Sequence, residues 1–173
     1  MNAHHADDVP LPTFVHWAEL VPPGGTVLDV AAGGGRHARL FADRGHPVLA
    51  VDRDTAALRA RPHPRIEVLT ADLEYAPWPL PGRTFAAVVV ANYLWRPLLP
   101  TLVASVAPGG VLLYETFAVG NERFGRPRNP DFLLREDELR DAVRDRLLVL
   151  DHGHGEVGSP PTAVRQRLCA RRP

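Results

Sequence analysis

Three carboxylates and a run of glycines are the residues of this sequence best equipped for chemistry. Asp29 stands inside a short apolar run, four residues ahead of Gly33, with Gly34 and Gly35 next. Asp52 closes a second apolar run about twenty residues on, the distance at which an acid holds a ribose in nucleotide-binding βαβ units. Asp72 follows a third such run. Glycine at such a turn lets bare backbone approach a ligand. Gly33-x-Gly35-x-x-Ala38 with Asp52 satisfies the dinucleotide fingerprint formally, with a pyrophosphate resting on a helix N-terminus. Asp29 opposes the phosphate half of that reading, because a carboxylate inside the strand repels a phosphate and attracts a cation. Two ligand classes stay open: a dinucleotide, or an adenosine compound bearing cations in place of phosphates. The plain alternative is a βαβ turn in which glycine only tightens the chain.

These residues need elements to hold them. Thr26 to Val30 reads as a strand covered on both faces. A helix follows with Leu40 and Phe41 on its apolar side and Gly45 as its C-terminal glycine. Val48 to Val51 is the second strand, Thr55 to Ala60 a short helix stopped by Pro62 and Pro64, and Ile66 to Leu69 the third strand. Phe85 to Ala91 is the fourth strand and the most apolar, with Asn92, Tyr93, Leu94 and Trp95 at its carboxyl end. A helix over Leu98 to Val106 is ended by Pro108, Gly109 and Gly110, and Val111 to Tyr114 is the fifth strand. Then come Glu115, Thr116 and Phe117 and a long loop through Pro130 that carries Arg123, Arg126 and Arg128. Glu136 to Arg146 predicts a helix, and Leu147 to Leu150 and Val164 to Ala170 the last strands. Upstream, Leu11 to Val21 has a helical apolar stripe of Phe14, Val15, Trp17, Ala18 and Val21. Strands alternating with helices predict an α/β sheet whose ligands sit at the carboxyl ends of its strands.

Composition narrows the chemistry. The 173 residues suffice for one domain with a core, taken as residues 11–173 behind a flexible polar terminus of residues 1–10. His4, His5, Asp7 and Asp8 in that terminus read as a frayed end, and no metal site is expected. The formal net charge is zero, so no overall field favours nucleic acid or an anionic membrane. All 20 basic residues are arginine, which excludes Schiff-base chemistry and a phosphate-loop lysine. Cys169 is the single cysteine, so neither an internal disulfide nor a thiolate metal cluster can form. No apolar run is long enough to cross a bilayer and no signal peptide is evident, so a cytoplasmic protein is expected.

Asp29-x-Ala31-x-Gly33-x-Gly35 resembles the acidic, glycine-rich first motif of class I S-adenosylmethionine-dependent methyltransferases, with Ala31 where that family usually has glycine. Proline-glycine-glycine ahead of an apolar strand is similar to the same family, as is a closing strand pair. Gly35-Arg36-His37, Arg44-Gly45-His46 and Val51-Asp52-Arg53 resemble the small bacterial tellurite-resistance-type (TehB-like) members. The resemblance implies a Rossmann-like three-layer sandwich: a mostly parallel seven-stranded sheet with a C-terminal antiparallel hairpin. It implies S-adenosylmethionine as cofactor and S-adenosylhomocysteine as product. The cofactor-binding residues it implies are Asp29, Ala31, Gly33, Gly35, Arg36, Asp52, Arg53, Ala71, Asp72, Leu73, Asn92 and Tyr93. On this reading Asp52 takes the ribose hydroxyls, Ala71 to Leu73 the adenine edge, and Asn92 and Tyr93 the methyl-transfer end. Trp17, Trp95, Arg123, Arg126 and Arg128 are the substrate candidates, the three arginines forming a lid suited to an anion. Methyl transfer to a small molecule by in-line displacement is the expected reaction. His37, Tyr93 and Glu115, with His16, are candidates for a general base, and none stands out. Two rivals remain: an NAD-dependent oxidoreductase, and a non-catalytic cofactor-binding module of the same fold.

Overall fold

The computed structural model describes residues 8–173. His4, His5 and Asp7 lie outside the described residues. Seven strands form one sheet: β1 (Val27–Val30), β2 (Val48–Asp52), β3 (Ile66–Thr70), β4 (Phe85–Ala91), β5 (Val106–Phe117), β6 (Leu148–Val157) and β7 (Ala163–Arg171). Their spatial order is β3-β2-β1-β4-β5-β7-β6. β1 to β5 pair in parallel, whereas β7 runs antiparallel to both β5 and β6. The sheet order turns back between β1 and β4, which opens the ligand crevice of an α/β sheet at their carboxyl ends.

Among the described residues, five short helices complete the layers: α1 (Pro12–Trp17), α2 (Arg36–Asp43), α3 (Ala56–Ala60), α4 (Leu99–Ala104) and α5 (Glu138–Val143). Side chains alternate across each strand and supply two cores. Leu28, Val30, Leu49, Val51, Val88, Val90, Leu112 and Tyr114 face one side, with Leu102 of α4 and Leu139 of α5. Val27, Val48, Ala50, Ala87, Val89, Val111 and Leu113 face the other, with Trp17 of α1, Phe41 of α2 and Leu58 of α3. The result is the three-layer sandwich.

Local chemistry explains where α2 begins and ends. Gly35 caps it at φ 81°, and a Cβ there would lie 2.3 Å from the Leu58 side chain. At its other end the Gly45 N–H donates to the Ala42 carbonyl at 3.0 Å, and the His46 N–H to that of Phe41 at 3.1 Å. Together they satisfy the last carbonyls as a Schellman motif does.

The structure corrects several expected boundaries. The helix expected over Leu98 to Val106 is a 3-10 turn at Arg96–Leu98 followed by α4, which stops at Ala104. β5 already starts at Val106, so Pro108, Gly109 and Gly110 form an irregularity inside a strand. The register with β4 shifts there, from Phe85 opposite Val106 to Ala87 opposite Val111. A Cβ on Gly110 would lie 2.9 Å from the carbonyl oxygens of Phe85, Ala86 and Ala107, which explains the glycine. The expected Leu11–Val21 helix is α1 and a 3-10 turn at Ala18–Leu20, and the helix expected over Glu136 to Arg146 is the shorter α5. The last two strands extend well beyond their apolar cores because backbone pairing continues through His152, Gly153 and Gly155.

The long loop after β5 is pinned. Ala118 pairs with Leu134, and the buried Asn121 accepts from the Val164 N–H and donates to the Pro127 carbonyl. Arg96 holds its far end, donating to the carbonyls of Asp131 (2.8 Å) and Leu133 (2.7 Å) and to both Glu138 oxygens (2.6 and 3.0 Å).

Candidate active site

A cavity of about 290 Å³ opens at the carboxyl ends of β1 to β4. Ala31, Asp52, Arg53, Ala71, Asp72, Leu73 and Tyr93 line it, together with Glu74 and Phe132. Each residue follows from its strand. Ala31 leaves β1 at φ 53°, a left-handed turn that suits the glycine usually found there. Asp52 ends β2 and accepts from the Gly33 N–H at 2.8 Å and the Asp54 N–H at 2.9 Å. Its carboxylate therefore ties the glycine turn to the second strand. Asp72 accepts from the N–H groups of Glu74 (2.9 Å) and Tyr75 (3.1 Å), which hold its carboxyl below the usual range. Two carboxyl groups thus stand on one wall.

Asp29 lies beneath the turn and is 1 % exposed. Burial raises its pKa to about 7, the Ala38 amide opposing and the Asp52 charge reinforcing the shift. Its Oδ2 has no hydrogen-bond partner among the described residues. A buried acid with an unmatched oxygen is destabilising by itself, and a cation brought to it supplies the missing partner. The donor set therefore fits a ligand with an ammonium, a ribose and an adenine. It does not fit a pyrophosphate.

The other expected residues fall in different places. Gly35 caps α2, and Arg36 donates to the Val9 carbonyl at 3.2 Å. Asn92, at φ 55°, follows β4 and accepts from the Arg165 guanidinium. Tyr93 is half-buried, and burial together with Glu74 and Asp72 pushes its phenol well above the ordinary range. Its hydroxyl has no partner among the described residues. The backbone carbonyl of Tyr93 accepts from the Tyr114 hydroxyl at 2.8 Å. Trp95 packs against the core and tilts over Tyr75, with ring centroids 5.9 Å apart.

Trp17 is a correction. It is 1 % exposed, packs edge-on against Phe14 and donates from Nε1 to Asp151 at 3.1 Å. The apolar stripe of α1 points it into the core, so it faces no cleft. The arginine lid is arranged differently from expectation. Arg123 lies over Phe124 and pairs with Glu156 at 3.1 Å, and Arg126 and Arg128 are exposed. The loop brings Phe132 to the cavity instead.

The base candidates are poorly placed for that work. Burial, then the charges of Arg36 and Arg165, lowers the His37 pKa to about 3, and its Nε2 accepts from the Leu11 N–H at 3.2 Å. It packs against Phe14 as a neutral ring, the two planes tilted by 44°. Glu115 accepts from Arg165 Nε at 2.7 Å and from the Thr13 hydroxyl. His16 is exposed on α1.

Four residues at or near the cleft escaped the sequence reading. Glu74 stands two positions after Asp72, near enough for the motif to have suggested it. Phe132 ends a loop with no periodicity. Thr13 and Arg165 meet Glu115 across 102 and 50 residues of chain, and no local pattern reports such a meeting.

Comparison with known proteins agrees with this geometry. Residues 27–110 match a family model described as a methyltransferase domain. A curated relative, malonyl-[acyl-carrier protein] O-methyltransferase of Serratia marcescens, is 33% identical over 110 residues, or 57% of this chain and 41% of its own length. The chain thus spans under half of that relative. TehB of Haemophilus influenzae superposes with a TM-score of 0.70 at 18% identity, covering 100% of this chain and 64% of that one. A Burkholderia thailandensis 1,6-didemethyltoxoflavin-N1-methyltransferase, solved with 1,6-didemethyltoxoflavin and S-adenosylhomocysteine, superposes at 0.67 with 19% identity, over 98% and 79% of the two chains. At these identities the structures speak for the fold.

Proposed function

We propose that the chain is a class I S-adenosylmethionine-dependent methyltransferase that methylates a small molecule in the cytoplasm; the methyltransferase-domain match over residues 27–110 and the fold support this reading. One observation carries the reading. Asp52 and Asp72 line a single cavity at the turning point of the sheet, with Asp29 buried under the glycine turn. When bound, S-adenosylmethionine supplies a methyl group on a sulfonium for in-line displacement by the acceptor's nucleophile. The chain's own residues bind, orient and exclude water. Asp52 accepts from the ribose hydroxyls, Ala71 to Leu73 frame the adenine, and Asp29 faces the ammonium. Tyr93 and Phe132 cover the cleft with aromatic surface.

His37 and Tyr93 are both neutral groups that give up or take a proton with difficulty. We therefore infer that neither serves as the general base. The small-molecule assignment draws on the acceptor named for a structurally similar protein, 1,6-didemethyltoxoflavin.

A dinucleotide enzyme is the competing reading. It would place a pyrophosphate over Asp29, and its sheet would continue with a parallel strand where β7 runs antiparallel. Calorimetry separates the two. We expect micromolar binding of S-adenosylhomocysteine and no comparable binding of NAD. Asp52→Ala should weaken the former at least tenfold, since a charge-assisted hydrogen bond contributes about 1.5–3 kcal/mol. Preferential NAD binding would overturn the methyltransferase reading.

A further inference from the structure

A second and larger cavity, about 510 Å³, lies where the start of α1 meets the β6–β7 hairpin. Its size is that of a small-molecule site. Glu115 and Arg165 meet on its wall at 2.7 Å, with side chains only 8% and 10% exposed. Leu11, Pro12, Val157 and Ala163 supply apolar surface. Asn92, bonded to Arg165, is followed in the chain by Tyr93 of the first cavity. The walls of the two cavities thus adjoin at the end of β4, where Arg165 bonds to the residue that precedes Tyr93.

The charges of this wall come in opposite pairs. Arg165 faces Glu115, Glu156 is paired with Arg123 at 3.1 Å, and Arg167 stands 3.6 Å from Asp151. Each of these six groups thus has a partner of opposite charge. A guanidinium offers more donors, and a carboxylate more acceptor positions, than the bonds to Thr13, Asn92 and each other use. The pair thus presents a donor beside an acceptor. Burying an ion pair gains little stability on balance, and this one lies on a cavity wall.

We propose that this second cavity is the methyl-acceptor site and takes a small uncharged molecule whose edge carries an acceptor beside a donor, as an amide or a heteroaromatic lactam does. The proposal rests on the methyltransferase reading and assigns the acceptor's place and chemistry within it. It also moves specificity from the loop arginines to Glu115 and Arg165.

Benzamide and benzoate are suitable probes, because they share a ring and differ in charge and in the donor. Their binding to the full chain is measured by ligand-observed NMR, with and without S-adenosylhomocysteine, and located by crystal soaking. Benzamide should bind against Glu115 and Arg165, at least fivefold more tightly than benzoate. Val157→Trp fills the cavity from β6 and Pro12→Trp fills it from α1. Each should abolish benzamide binding and leave S-adenosylhomocysteine affinity within about twofold, which also reports a folded protein. Benzoate binding as tightly as benzamide would overturn the ligand class. Benzamide binding unchanged in both variants, or no benzamide binding at all, would overturn the site. Benzamide binding that the variants remove, in a protein with no affinity for S-adenosylhomocysteine, would end the acceptor role together with the methyltransferase reading.

Discussion

Asp29 carries the clearest signal at the level of single residues. Its pKa is raised from 3.8 to about 7, chiefly by burial. The sign of the consequence follows. Between those values the folded state holds a proton that the unfolded chain has released, so stability falls as pH rises and the loss is complete above about 7. Asp29→Asn should flatten that slope and raise the thermal midpoint at mildly alkaline pH. The ligand responds oppositely, because the ammonium of the cofactor favours ionised Asp29. We expect S-adenosylhomocysteine to bind more tightly as pH passes upward through about 7 in the native protein, and the Asn variant to lose that dependence. Calorimetry on both sides of neutrality checks it. A pH-independent native affinity would remove Asp29 from the site.

At the level of elements, the segment between β5 and α5 decides how the cleft is covered. It brings Phe132 to the first cavity, yet its own helices are single 3-10 turns. Its hold on the body is concentrated in Arg96, which grips two loop carbonyls and Glu138 at once. Hydrogen bonds to a charged group contribute about 1.5–3 kcal/mol, so Arg96→Ala should cost roughly that much stability. It should also weaken cofactor binding by loosening Phe132. Chemical denaturation and limited proteolysis between residues 118 and 134 check both parts. An unchanged cleavage pattern would show that Asn121 and the Ala118–Leu134 bridge hold the loop without it.

For the whole molecule the same site predicts a shift in stability. A ligand that binds only the folded state adds about 2.7 kcal/mol at a hundred times its Kd. For a chain of 173 residues that is roughly a 5–11 °C rise in midpoint. S-adenosylhomocysteine should produce it, and NAD at the same concentration should not. A scanning-fluorimetry titration is sufficient. No described helix is long and apolar enough to cross a membrane. The same scale shows what one-dimensional information decides here. Val48 to Val51 and Phe85 to Val90 are continuous apolar runs, and Val27 to Val30 is broken only by Asp29; such runs suit strands buried on both faces. Gly33, Gly35, Asp52 and Asp72 are each within a few residues of a strand end, so local pattern was enough to group them. The boundaries of α4, β5 and α5 were not legible, because Pro108 to Gly110 act within a strand whose irregularity depends on β4 beside it. Trp17 was misjudged because an apolar stripe does not say whether it meets a core or a cleft. The meeting of Thr13, Asn92, Glu115 and Arg165 exists only once β7 lies antiparallel along β5, placing Arg165 opposite Phe117. Sequence by itself determined the order of the strands and pointed to the cofactor, where chemistry is local to one βαβ unit. Tertiary structure alone decided the second cavity, because its walls come from segments that only sheet pairing brings together.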